Sequence, residues 1–352
     1  MAAIFNRNGA LIKDEAEASR IHNKGWYGQP QGGGSLKLNL LEMLYLFETE
    51  RLEVQDKKGN ALDFGDLVMQ AARQIDDFEL MYIVYSDLRR RGLVASLAEL
   101  EDVDFYLYER GKSPKSSAPA YYVVALSERT IFDLDELFSL SSAAEGTGKE
   151  IIIAVVDEEG DITHYRIRGV DPRASASGKE VGVYSGIALA DRALIPDQAA
   201  AEELRKAAFY GNPLGTGLQI SMLEAAFLMS RKRLKLINAR TGRNAALNSL
   251  IEASCRRDPD FLHKLTVYSD LRERGFIVKT GFKYGSHFRA YDGDPDKEHA
   301  RYLVHAVGRG FTATWPEISR AVRLAHGVRK ELLFGRVGRN GVDYLQIKRH
   351  IP

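Results

Sequence analysis

Three side chains late in this 352-residue chain, Tyr291, His299 and Lys330, could together break a phosphodiester. A tyrosine can take the proton of a ribose 2′-hydroxyl, an imidazolium can protonate the departing 5′-oxygen, and an ammonium can hold the charge that builds on the phosphorus between them. Such a transesterification needs no metal ion. Each residue also has an ordinary reading: an edge-strand tyrosine, one loop histidine among eight, and a lysine that satisfies helix C-terminal carbonyls. Spacing alone leaves both readings open. A calcium loop at Asp292, Asp294 and Asp296 fails, because Lys297 stands at the glycine position and Leu303 at the twelfth, where a glutamate is required. No metal or cofactor is implied.

The elements that must position the three residues occur twice. Val84-Tyr85-Ser86-Asp87-Leu88-Arg89-Arg90-Arg91-Gly92 returns as Val267-Tyr268-Ser269-Asp270-Leu271-Arg272-Glu273-Arg274-Gly275, eight of nine identical at an offset of 183. Tyr27-Gly28 with Pro30 returns as Tyr210-Gly211 with Pro213 at the same offset, and Lys149-Glu150 as Lys330-Glu331 at 181. Solenoid repeats run only ~20 to 50 residues, so this period means a duplicated domain. Tyr291 and Lys330 have counterparts in Tyr108 and Lys149, but His299 does not: three residues before Tyr121 stands Ala118. The first copy lacks the acid and is expected to be inert.

The reading is a mixed α/β chain in tandem duplication, each half a small helical N-terminal subdomain followed by an α/β subdomain. Residues 1–171 form the degenerate copy, 172–184 a Ser/Gly-rich linker, and 185–352 the active copy, with its helical part over 185–262 and its α/β part over 263–352. Asp14 and Asp197 open acidic helical stretches, and a second helix carries a broad apolar stripe at Leu40, Leu41 and Leu44, matched by Met222, Leu223 and Ala226. A third helix leads to the Tyr-Ser-Asp-Leu-Arg segment, after which glycine and β-branched residues predict a strand. Strands are expected at Phe288–Tyr291 and Tyr302–Val307, then a helix opened by Thr314 and Glu317 with Pro316 in its first turn, then a hairpin from Lys330 to Ile347. Gly32-Gly33-Gly34-Ser35 reads as a linker, since no strand precedes it and no Lys-Ser/Thr follows.

Where the copies differ, charge separates them. Residues 315 to 352 carry eight Lys/Arg against three acidic residues, net +5; the matching residues 134 to 171 carry three against nine, net −6. Lys279, Lys283, His287 and Arg289 stand where the first half has Ser96, Leu100, Asp104 and Tyr106, and Arg320, Arg323, Arg329, Arg336 and Arg339 replace Ser139, Ser142, Gly148, Val155 and Glu158. A basic face on one copy is the footprint expected of nucleic-acid binding, although the whole chain is only +1. The longest aliphatic run, Ile151 to Val156, is far short of the ~20 residues of a membrane span, and no signal sequence opens the chain, so a cytoplasmic protein is expected. The single cysteine, Cys255, excludes an internal disulfide and reads as a packing or surface residue.

At these residues the sequence resembles the archaeal tRNA-splicing endonuclease (tRNA-intron endonuclease) family. The likeness lies in Tyr268 to Tyr291, in Lys297-Glu298-His299, in Tyr302-Leu303-Val304 and in Arg323 to Lys330, and the duplicated layout is similar to the two-repeat homodimeric type. The resemblance implies metal-independent cleavage of precursor tRNA at both intron boundaries in a bulge-helix-bulge, leaving 2′,3′-cyclic phosphate and 5′-hydroxyl ends. It implies Tyr291 as general base, His299 as general acid and Lys330 as transition-state cation, with Arg323 stacked on a flipped base. Leu345 stands where some relatives carry a second arginine, so the sandwich is either incomplete or completed by a neighbour such as Arg339. Lys279, Lys283 and Arg289 complete the expected RNA-facing set. The acidic turn Asp157-Glu158-Glu159-Gly160-Asp161 resembles the family's loop that inserts into a positive pocket of the opposing subunit, which implies a homodimer. The alternatives are a non-catalytic RNA-binding or structural subunit, and a metal-dependent nuclease on a related α/β fold.

Overall fold

A computed structural model describes residues 2–174 and 182–352, so most of the expected linker, residues 175–181, lies outside the described residues. The chain forms two compact units. One gathers the described residues through Ile131 with Leu140–Ile167 and Arg349–Pro352; the other comprises Phe132–Ser139 and the described residues of Arg168–Lys348. Phe132–Ser139, early in the sequence, belongs to the second unit for a physical reason. The fully buried Phe132 ring packs against Trp315 at 5.4 Å and Phe334 at 5.6 Å, and Asp135 receives Arg336 at 2.6 Å and the Gly310 N–H at 2.8 Å.

The N-terminal part of each copy holds the expected helices and also a five-stranded sheet that the helical reading missed. In the second copy the strands run in the order Asn212–Leu214, Gly217–Ser221, Arg192–Ile195, Tyr184–Ala188, Leu234–Asn238. The first copy repeats this order with Gln29–Pro30, Leu36–Leu38, Gly9–Ile12, Ala2–Asn6 and Glu53–Gln55. Strands of two to five residues are too short for an alternating pattern to stand out. The helices start where their caps demand: Asp14 accepts the Glu17 N–H at 2.8 Å and Asp197 the Ala200 N–H at 2.8 Å.

The C-terminal part of the second copy orders its strands as Ile277–Thr280, Phe288–Tyr291, Tyr302–Val307, Glu331–Val337, Val342–His350. Tyr302–Val307 and Glu331–Val337 pair in parallel, so the chain must cross over between them, and the helix Trp315–Gly327 makes the crossing. Its start is fixed by Glu317, whose carboxylate accepts the Thr314 N–H and hydroxyl, both at 2.9 Å. The Tyr-Ser-Asp-Leu-Arg segment lies inside a fourth helix, Phe261–Glu273, beyond the third helix Leu247–Cys255. Gly275, at φ +91°, turns the chain from that helix into the strand Ile277–Thr280. Val267, Tyr268 and Leu271 of the helix share a core with Phe288, Val304 and Leu333 of the sheet. Each such buried side chain stabilises the fold by roughly 1.5–3 kcal/mol, so the strands that carry the site have a fixed backing. Among the described residues, no helix is long and apolar enough to cross a membrane.

Candidate active site

Sheet register brings two of the three candidate residues and the segment bearing the third to one end of three adjacent strands. Ala290 pairs with Tyr302, and Tyr302 with Glu331. One residue outward the row becomes Tyr291, Arg301 and Lys330, tied by Arg301 N–H to Ala290 O at 2.9 Å and Glu331 N–H to Arg301 O at 3.0 Å. With strands about 4.8 Å apart, the backbones at Tyr291 and Lys330 stand about 10 Å apart, wide enough for a phosphate between two long side chains.

Tyr291 is almost covered, 5% exposed, and packs with Ile277 and Ala300. Burial pushes its hydroxyl pKa up, and the Arg289 guanidinium, 5.6 Å above the ring, opposes that rise. His299 is exposed, at the end of a turn in which the Asp294 carbonyl accepts the Lys297 and Glu298 N–H groups at 3.0 and 2.8 Å. Its neighbour Ala300 is the anchor, 3% exposed in the cluster with Tyr291.

Lys330 follows the crossover helix. Arg329, at φ +54°, turns the backbone, and the Lys330 N–H closes on the Ala325 carbonyl at 2.8 Å. Its ammonium donates to Val328 O at 3.1 Å, which is the ordinary role open to a lysine at a helix C-terminus. The same ammonium lies 5.5 Å from the Tyr284 ring centroid, and Arg289 lies 5.7 Å from that ring. Tyr284 thus stands between the Tyr291 side and the Lys330 side of the site.

Sequence reasoning missed Tyr284 and, two residues before it, Phe282, whose ring is 86% exposed. Both lie in the short 3₁₀ turn Phe282–Tyr284 beside the site. The signal was present: the first copy has Glu99 and Glu101 at these places, so aromatic rings replaced carboxylates on the basic copy alone.

The expected RNA-facing set divides. Lys283 is exposed on the same turn, and Arg323 is exposed on the crossover helix, about two turns before Lys330. Arg289 is half-buried, its Nε–H donating to Thr280 O at 2.8 Å while its guanidinium serves the two tyrosines. Lys279 is a correction: its ammonium turns into a cleft and donates to the Phe209 and Gly211 carbonyls. Arg339 is exposed in the turn between Glu331–Val337 and Val342–His350, about 20 Å along the strand from Lys330. Leu345 is fully buried in the core. Two further members of the basic difference are also engaged. Arg336 is held by Asp135 and Asp343 at 2.6 and 2.9 Å and stacks 3.9 Å above Phe138, and the His287 Nδ1 accepts the Ala306 N–H at 2.9 Å.

The acidic turn joins Glu150–Val156 to Ile162–Val170. Asp157 closes it, its carboxylate accepting the Glu159 and Asp161 N–H groups at 3.0 and 2.9 Å, and Glu158 meets Arg129 at 2.6 Å with both side chains exposed. Glu159 and Asp161 project from the same turn.

Comparison with known proteins matches both copies to the same two domains. The model of the tRNA intron endonuclease catalytic C-terminal domain matches residues 78–164 and again 261–344, and that of the N-terminal domain matches 1–68 and 184–250. The chain is 37% identical to a tRNA-splicing endonuclease of Methanococcoides burtonii, with 99% of each protein aligned. It is 36% identical to one of Methanosarcina acetivorans over 96% of this chain and 97% of that protein, and 31% identical to one of Haloferax volcanii over 95% of each. With both domains matched twice, and relatives aligned nearly end to end, the chain belongs to the tRNA intron endonuclease family.

Proposed function

We propose that the chain is a tRNA-intron endoribonuclease working in the cytoplasm, cutting precursor tRNA at both intron boundaries in a bulge-helix-bulge by general acid–base catalysis without a metal ion. The observation that carries this reading is the row Tyr291–Arg301–Lys330 across three adjacent strands, with His299 on the turn that leads into it. Tyr291 takes the proton of the 2′-hydroxyl, and the 2′-oxygen attacks the adjacent phosphorus. The bond from phosphorus to the 5′-oxygen breaks, and His299 gives its proton to that oxygen. Lys330 faces the non-bridging oxygens as their charge rises. The products are a 2′,3′-cyclic phosphate and a 5′-hydroxyl.

Burial raises the Tyr291 pKa, so its proton transfer must be assisted at the moment of attack, and the Arg289 guanidinium near the ring favours the phenolate. Arg323, Lys283 and Phe282 offer exposed surface for an unpaired base: a planar cation, a phosphate partner and a bare ring. Two chains, joined by the acidic turn of each in a basic pocket of the other, supply one active site per cut. The test is cleavage of an intron-containing precursor tRNA in EDTA with the ends mapped. Cuts at both boundaries, with cyclic phosphate and 5′-hydroxyl ends, are expected; 3′-hydroxyl ends or a requirement for magnesium would overturn the reading.

A further inference from the structure

The two copies build the same cleft between their N-terminal and C-terminal parts, but only the second fills it. There, Phe209 and Gly211 adopt left-handed backbone conformations at φ +56° and +57°, and the Glu224 carboxylate accepts the Gly211 and Ser221 N–H groups at 2.9 and 2.8 Å. Into this frame Lys279 places its ammonium, against the Phe209 and Gly211 carbonyls. In the first copy Trp26 and Gly28 take φ +59° and +69°, and Glu42 accepts the Gly28 and Asn39 N–H groups at 2.9 and 3.0 Å. The frame is rebuilt bond for bond, yet the residue at the place of Lys279 is Ser96. The cavity bordered by Ser96 is about 700 Å³ and runs on to Tyr108, Pro114 and Lys115, and the one bordered by Lys279 is about 360 Å³ and runs on to His287 and Phe288.

We infer that the first copy's cleft is a binding site for a primary alkylammonium, of the linear diamine and polyamine class, which takes the place that Lys279 occupies in the second copy. The carbonyls of Trp26 and Gly28 are the counterparts of those that receive the Lys279 ammonium, and the Glu42 carboxyl, whose pKa burial raises and its two backbone N–H donors lower, stands at the place of Glu224. Trp26 and Tyr108 line the cavity, the Tyr108 hydroxyl hydrogen-bonded to Ser96, and supply aromatic rings beside an alkyl stem and its charge. The remaining charges lining it, Lys37 and Lys115 against Glu99, are all exposed on its rim, with the half-buried His22 beside Trp26. Arg89, close to Glu42, is engaged with the Gly25 and Leu93 carbonyls. Its counterpart Arg272 bonds the Ala208 carbonyl, and the second copy holds Lys279 with that arginine present. A linear amine reproduces the missing side chain in length, apolar stem and charge, which a nucleotide or an acid would not.

The experiment is calorimetric titration of 1,5-diaminopentane into the full-length protein at constant ionic strength, followed in parallel by the fluorescence of Trp26. A saturable response is expected, at least tenfold weaker in Ser96→Lys, which restores the internal ammonium, and in Ser96→Met, which fills the space without charge. Neutral pentan-1-ol should give no comparable response. Equal binding by either variant, an equal response to the alcohol, or no saturable binding by the unchanged protein would overturn the inference. Because the readout is binding without RNA, it stands or falls separately from the cleavage reaction.

Discussion

At the scale of single residues, the site is a set of groups whose surroundings already bias them. Lys330 is steadied by a carbonyl on one side and the Tyr284 ring on the other. Replacing that ring by leucine removes an interaction of about 0.5–1 kcal/mol, so Tyr284→Leu should lower the single-turnover rate about two- to fivefold at saturating enzyme, while Tyr284→Phe should stay near normal. An equal loss in both variants would show that the hydroxyl, and not the ring face, matters. Arg289 opposes the rise that burial imposes on Tyr291. Arg289→Met should therefore lower the cleavage rate at neutral pH and restore part of it as pH rises toward the range where the phenol ionises, a profile that loss of RNA affinity alone would not give. Tyr291 and Lys330 stand out in the sequence because both copies keep them, and His299 because the first copy has no imidazole there; the roles given to the three are those of the proposed function. Tyr284 and Phe282 were visible in the same comparison, but neutral aromatic residues drew less notice than new charges. The reverse error befell Lys279 and Arg336, whose charges are spent inside the fold on carbonyls and carboxylates. A difference between copies reports that a residue matters, and only burial and partners tell for what.

At the scale of elements, the active end of the sheet depends on a parallel pair joined by one capped helix, and that much could be read in advance. The long helices and the strands from Phe288 onward have periodicity and caps that point to one answer. The short strands of the N-terminal sheets do not, since pairing with distant segments, such as Tyr184–Ala188 with Leu234–Asn238, sets them more than local pattern does. The central strand Tyr302–Val307 also carries a titrating group. His305 stacks on Phe334 at 5.3 Å and lies 5.6 Å from His287; burial lowers its pKa to about 4, with His287 adding to the effect. The unfolded chain binds a proton here below about pH 6.5 and the folded chain only below about 4. Stability from this group is therefore present above pH 6.5 and falls as pH drops through that window, by at most about 1.4 kcal/mol per unit. Urea denaturation at pH 7.5, 6 and 5 should show a shallower fall for His305→Phe than for the unchanged chain; parallel curves would contradict the assignment.

At the scale of the whole molecule, the two copies match the same two domain models and differ in charge. The acidic turn is closed by the Asp157 carboxylate and leaves Glu159 and Asp161 exposed. Changing Glu158, Glu159 and Asp161 to lysine, with Asp157 kept to close the turn, should convert a dimer to a monomer in sedimentation, with the thermal transition of the single chain little altered; an unchanged dimer would remove the turn from the interface. The central claim concerns the acid that only one copy possesses. His299 is exposed and has little packing to lose, so His299→Ala should fold normally. The most direct measurement is single-turnover cleavage in EDTA of two substrates, one natural and one with sulfur in place of the departing 5′-oxygen, a leaving group that needs no proton. The account predicts that His299→Ala loses roughly 10²–10⁴ of the rate on the oxygen substrate and little on the sulfur one. An equal loss on both, or none on either, would contradict His299 as the general acid.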